Sequence, residues 1–126
     1  VKLCKMGNFK TFEELIAWQK ARLFNKQIYD ITNKDLFKKD FELVRQIRKA
    51  SVSITSNIAE GFERNTDKEF IYFLYVAKAS SAEIRSQLYL AFDLEYISNE
   101  EFENLYIKIT DISKLISGLI KYLNKS

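Results

Sequence analysis

The side chains most able to do chemistry in this sequence are its cations. Lys20, Arg22 and Lys26 lie close together, Lys38 and Lys39 are adjacent, and Arg45 and Lys49 stand one helical turn apart. Cations at this density can neutralise successive phosphates of RNA or DNA, and such binding weakens steeply with salt. The same residues would also serve as the solvated rim of an ordinary globular protein. A second set is polar rather than basic. Glu42, Gln46, Lys49, Ser53, Asn57, Glu60 and Arg64 recur at steps of three and four, which places them on one face of a helix. Small residues there allow another backbone to approach, and Asn, Gln, Glu and Arg supply bonds across the contact. Gln46, Arg48, Ser53, Asn57, Glu60 and Arg64, with Glu83 from a later helix, are therefore candidates for a helix or subunit contact. The alternative is a solvated back face that carries short polar side chains. Arg48 falls at the edge of the neighbouring apolar stripe, so it is expected half-buried and paired, for instance with a carboxylate from another helix.

Catalytic chemistry has little to work with. Histidine is absent, which removes the commonest general base and metal ligand. The single cysteine, Cys4, can form neither an internal disulfide nor a Cys-based zinc site. Ser51, Ser53 and Ser56 have no obvious base beside them, and no Gly-rich phosphate loop follows a strand. The expectation is a protein that is not an enzyme, with no catalytic residues, no metal and no cofactor.

The elements that must position these residues are helices. Hydrophobic residues make up 47% of the 126 and aromatics 14%, with no Pro and only three Gly. That composition suits one packed domain of long, uninterrupted helices. No apolar run approaches the roughly 20 residues that span a bilayer, and Val1 to Lys10 lacks a signal-peptide core. A cytoplasmic protein without membrane contact is expected. The net charge is +3. It is uneven: residues 1–63 hold 12 Lys and Arg against 8 Asp and Glu, and residues 64–126 hold 8 against 9.

Residues 1–10 read as a short flexible lead, and residues 11–124 as a single bundle domain. Thr11 and Glu14 form a capping box that should open a first helix running to about Thr32. Its apolar residues spread widely around the cylinder. A turn at Thr32–Asp35 leads to a second helix from Phe37 or Lys38, with the stripe Val44, Ile47, Ser51, Ile54, Ile58 and Phe62. Gly61 should lie near its end, where glycine suits the left-handed conformation that stops helices. Thr66 with Glu69 opens the third helix, striped by Phe70, Phe73, Leu74, Ala77, Ser81, Ile84, Leu88 and Ala91. Tyr72, Tyr75 and Tyr89 on it should pack with their hydroxyls reaching water. Ser98 with Glu101 opens the fourth, whose seam is Phe102, Leu105, Ile109, Ile112, Ile116, Leu119 and Leu123. Gly118 inside that helix suggests a close helix contact. Short turns make neighbours antiparallel, so the fold class is an all-α, up-down-up-down four-helix bundle.

Several segments together resemble a family. They are Trp18-Gln19-Lys20-Ala21, Gln46-Ile47-Arg48-Lys49-Ala50, and Ser53-Ile54-Thr55-Ser56-Asn57-Ile58-Ala59-Glu60-Gly61. Phe73-Leu74 with Ala77, Ser80 and Glu83, and then Tyr96-Ile97, extend the match over about residues 12–123. The chain is similar to the four-helix-bundle proteins encoded by intervening sequences within bacterial 23S rRNA genes, a family that includes accessory proteins of diversity-generating retroelements. Departures are Lys38 and Thr55, where that family often has Pro, and Ala79, where it has Gly. The resemblance implies a barrel-like homopentamer and does not imply catalysis. In the retroelement branch it also implies binding of nucleic acid and of a reverse transcriptase. Two readings follow. One is a homo-oligomeric accessory factor holding RNA or DNA through Lys20, Arg22, Lys26, Lys38, Lys39, Arg45 and Lys49. The other is a protein–protein adaptor, for example for a reverse transcriptase.

Overall fold

A computed structural model describes residues 8–125. Helix α1 spans Ile16–Thr32, α2 Phe41–Phe62, α3 Asp67–Asp93 and α4 Asn99–Asn124. Short 3-10 turns at Phe12–Glu14 and Phe37–Lys39 precede α1 and α2, and no strand occurs among the described residues. Cys4 and most of the expected lead lie outside the described residues.

Cross-helix contacts fix the directions. Lys20 meets Asp111 and Lys34 approaches Glu101, so α1 and α4 run antiparallel. Asn25 bonds Ser51 while Thr32 bonds Arg48, which orders α1 against α2 in the same sense. Ser53 bonds Ser80, and farther along α2 Gly61 lies against Phe70 and Phe73 near the start of α3. The helices close a ring in which α1 touches α2 and α4, and α3 touches α2 and α4. One core runs through it, from Leu15 to Leu123, and contains the stripes of α3 and α4 almost entire. Only Phe73 on α3, and Phe102 and Leu119 on α4, are half-buried.

The starts of α1 and α2 differ from the sequence expectation. Thr11 Oγ1 and the Lys10 amide both donate to Glu14 Oε2, at 3.3 Å each. The turn so closed is 3-10 and ends at Leu15, which is extended with ψ 127°. In a continuous helix Leu15 would stand far off the stripe of Ala17, Ala21, Phe24 and Ile28. The break turns it into the core, where it is 2% exposed. Gln19 Nε2 then reaches back to the Glu13 carbonyl at 2.8 Å. Helix α2 starts after Asp40, not at Phe37 or Lys38. The Asp40 carboxylate accepts the Leu43 amide at 3.1 Å, an N-cap, and also accepts the Tyr96 hydroxyl at 2.9 Å. That second bond ties the head of α2 to the α3–α4 turn. Of the remaining boxes, Thr66 caps α3 through the Glu69 amide, and Ser98 with Glu101 makes the full reciprocal pair.

Gly61 lies near the end of α2 as expected, but the roles expected of Gly61 and Gly118 are corrected. No described glycine has a positive φ. Gly61 is buried in the last turn of α2, and a Cβ there would lie 2.7 Å from Phe73 Cβ and 2.9 Å from Phe70 Cδ1. Its role is close approach of α3. Gly118 has no atom within 4 Å of where its Cβ would stand, so no helix contact within the protomer explains it.

Candidate nucleic-acid interface

The seven cations singled out from the sequence do not form one surface. Lys20, Arg22 and Lys26 project from α1 into an open groove between α1 and α4, about 810 Å³ in volume, floored by Phe24 and Ile112 and joined by Lys108 from α4. Two of the three are partly neutralised. Lys20 lies 2.9 Å from Asp111 and Lys26 lies 2.9 Å from Asp30, while the Arg22 guanidinium sits 5.9 Å from the Trp18 ring centre. Arg45 and Lys49 belong to the far side of the ring, in a groove of about 560 Å³ between α2 and α3. Arg45 is held there by Glu42, at 2.9 Å to each carboxylate oxygen. Bonds from Gln46 first, and then from Arg45, hold the Glu42 carboxyl below the usual carboxylate range. Lys38 and Lys39 stand exposed in the 3-10 turn before α2.

The polar face of α2 divides in two. Its middle is a helix contact: Ser80 Oγ donates to Ser53 Oγ at 3.0 Å across the α2–α3 seam. The Asn57 side chain bonds within α2 rather than across the seam, its Nδ2 donating to the Ser53 carbonyl at 2.7 Å and to Ser53 Oγ at 2.9 Å. At the ends, Gln46 is exposed and donates to Glu42 at 3.0 Å, and Glu83 is exposed and accepts Gln87 at 3.4 Å. Glu60 is exposed on the same face. Arg64 lies over the Phe73 ring at 4.9 Å, with its Nε 3.8 Å from Glu69.

Arg48 is half-buried, but its partners are not carboxylates. Its Nε donates to Thr32 Oγ1 at 2.9 Å, its Nη2 to the Tyr29 carbonyl at 3.4 Å, and its guanidinium lies 4.3 Å from the Tyr29 ring centre. The cation therefore caps the C-terminal turn of α1, where unpaired carbonyls and the helix dipole favour positive charge.

A third strip went unmarked in the sequence. On the outer side of the α3–α4 seam, Tyr75 and Lys78 face Lys121 and Lys125 across a groove of about 370 Å³. Farther along the seam Tyr89 packs on Phe102 and Tyr106, with ring centres 5.0 and 5.6 Å away. Tyr72, Tyr75 and Tyr89 are each at least half exposed, and Tyr72 packs edge-on against Phe73 with ring centres 5.3 Å apart. The signal available in the sequence was the alternation of Tyr75, Lys78, Arg85 and Tyr89 on one helix face. The net negative charge of residues 64–126 concealed it.

Among the described residues no three potential ligands gather in a metal-binding group, and no helix is long and apolar enough to cross a membrane.

Helix order, antiparallel contacts and a single core define an all-α four-helix bundle. The chain belongs to the 23S rRNA-intervening sequence protein family, whose model matches residues 13–118. A similar solved structure is the 1.70 Å crystal structure of a protein with unknown function from the S23 ribosomal protein family of Bacteroides thetaiotaomicron VPI-5482. It shares 28% identity and a TM-score of 0.79, covering 84% of this chain and 96% of that one. No protein of curated function matches the chain.

Proposed function

We propose that this protein is a non-catalytic accessory factor that binds nucleic acid and works as a homo-oligomer, a pentamer. The observation that carries the reading is the convergence of Lys20, Arg22, Lys26 and Lys108 on one open groove. Carboxylates offset two of these cations and leave Arg22 and Lys108 with full charge toward solvent, so the groove presents a positive strip at which a phosphate backbone can replace counterions. Self-assembly is supported by large apolar side chains left on the protomer surface: Leu23 and Ile107 are 68% exposed and Phe41 is 81% exposed. Assembly would withdraw such side chains from water where they meet a neighbouring protomer.

The test is binding of an rRNA fragment by the wild type and by Arg22→Glu/Lys26→Glu. The double variant should bind at least tenfold more weakly with its fold intact. Equal binding by the two proteins would remove the α1–α4 groove from the interface. Light scattering should return the mass of five protomers at low and high salt, and a monomer at both would contradict the assembly. The adaptor reading is favoured by one feature, exposed Phe41 and Leu36 beside the Lys38–Lys39 turn. Recovery of a reverse transcriptase after nuclease treatment would support it.

A further inference from the structure

We infer that the outer α3–α4 face is a distinct site for single-stranded nucleic acid, in which tyrosine rings stack on bases and unpaired cations hold phosphates. The inference rests on the nucleic-acid reading above but assigns a different surface. Tyr75, Lys78, Arg85 and Tyr89 are separated by three, seven and four residues, which keeps all four on one side of α3. The groove shared by Tyr75, Lys78, Lys121 and Lys125 contains no carboxylate among its lining residues.

Charge makes the case sharper. Lys20, Lys26, Lys34, Arg45 and Arg64 each have a carboxylate within 4.0 Å. Lys78, Arg85, Lys121 and Lys125 have none among the described residues. Of the carboxylates of this half, Asp67 and Glu69 lie in the first turn of α3 and Glu100 and Glu101 in the first turn of α4, where they complement the helix dipoles. The two in mid-helix face other grooves: Glu83 lines the one between α2 and α3, and Asp111 pairs with Lys20 in the one between α1 and α4. A region that is net negative in the linear count thus folds into a locally basic face.

The aromatics decide which polymer fits. Tyr75 is 53% exposed and Tyr89 50%. They lie roughly 21 Å apart along the axis at 1.5 Å per residue, a span of about six nucleotides at helical rise and fewer when extended. Tyr89 is propped by Phe102 and Tyr106, and Phe102 in turn by Phe92 at 5.3 Å. Rings of this kind contribute through the face of an unpaired base, whereas a duplex keeps those faces closed.

The experiment is fluorescence anisotropy with a labelled oligouridylate of about ten nucleotides, within the usual site size for such surfaces, and with a duplex of the same length as competitor. Lys78→Glu/Lys121→Glu should weaken single-strand binding at least tenfold and flatten its salt dependence. Tyr75→Ala should weaken it by about fivefold or more while leaving the salt dependence unchanged. Both changes are at exposed positions, and circular dichroism should confirm the fold. If both variants bind like wild type while Arg22→Glu/Lys26→Glu does not, this site is refuted and the proposed function survives. A duplex that competes better than the single strand also refutes it. A wild type that binds neither probe overturns site and function together.

Discussion

A methyl group at position 61 would stand 2.7 Å from Phe73 Cβ and 3.3 Å from the Phe70 carbonyl oxygen, neither of which can yield without moving α3. Gly61→Ala should therefore destabilise the bundle by about 1–3 kcal/mol, read from urea denaturation. Gly118→Ala should do the reverse and stabilise by about 0.5–1 kcal/mol, because its methyl meets open space and alanine is the better helix former. Each glycine was visible in the sequence, but its role depends on what lies opposite, which no spacing along one helix reveals. Asp40 was missed for a related reason: with Leu43 rather than Glu three residues on, it lacks the box pattern that marked Ser98. Its bond to Tyr96 has a pH signature. Donation to Asp40, then partial burial, then the carboxylate charge raise the Tyr96 phenol above its ordinary value. A raised folded-state pKa favours the protonated form, so the stabilisation is complete below the unfolded value near 10 and is lost as pH rises through the folded one. Thermal denaturation between neutral and strongly alkaline pH should show a smaller alkaline loss in Tyr96→Phe than in wild type. Identical pH profiles would show that the bond carries no linkage.

Helix α2 shows how much of an element periodicity can carry. Its stripe is buried from Ile47 to Phe62, while at its head Leu43 is buried in place of the half-buried Val44; one buried member, Ser51, is a polar residue at 1% exposure. Ser51 Oγ donates to Asn25 Oδ1 at 2.6 Å, and Asn25 Nδ2 donates to Thr55 Oγ1 at 3.0 Å. This triad, together with the Arg48 bonds to Thr32 and Tyr29, registers α1 against α2. Asn25→Ala should cost about 1–3 kcal/mol, since it leaves the buried Ser51 hydroxyl without its acceptor. Adding Ser51→Ala should cost less than the sum of the two single changes, and strict additivity would show that the pair is not coupled. Helices α3 and α4 were legible almost residue by residue, because each keeps a core stripe at steps of three and four and starts at a Thr or Ser cap. The first two helices were not. Their starts are set by the demand to bury Leu15 and Phe37, a tertiary requirement that overrides the local capping signal at Thr11.

For the molecule as a whole, folding redistributes charge. The linear count placed the basic excess in residues 1–63, but Lys20 and Lys34 from that half meet Asp111 and Glu101 from the other. Among the described residues, cations with no carboxylate within 4.0 Å include Arg22, Lys38, Lys39, Lys49, Lys108 and those of the α3–α4 seam. That pattern could not be read without knowing which helices are neighbours. The core that holds it is a single unit. Leu88→Asp or Ile109→Asp, each placing an unpaired charge at a fully buried position, should abolish the cooperative unfolding transition. The most direct test of the central claim is the affinity of the wild-type protein for single-stranded RNA across roughly 50–300 mM salt. Log affinity should fall linearly with log salt, with a slope corresponding to several released counterions. Binding that is absent, or indifferent to salt, would contradict a nucleic-acid function for this bundle.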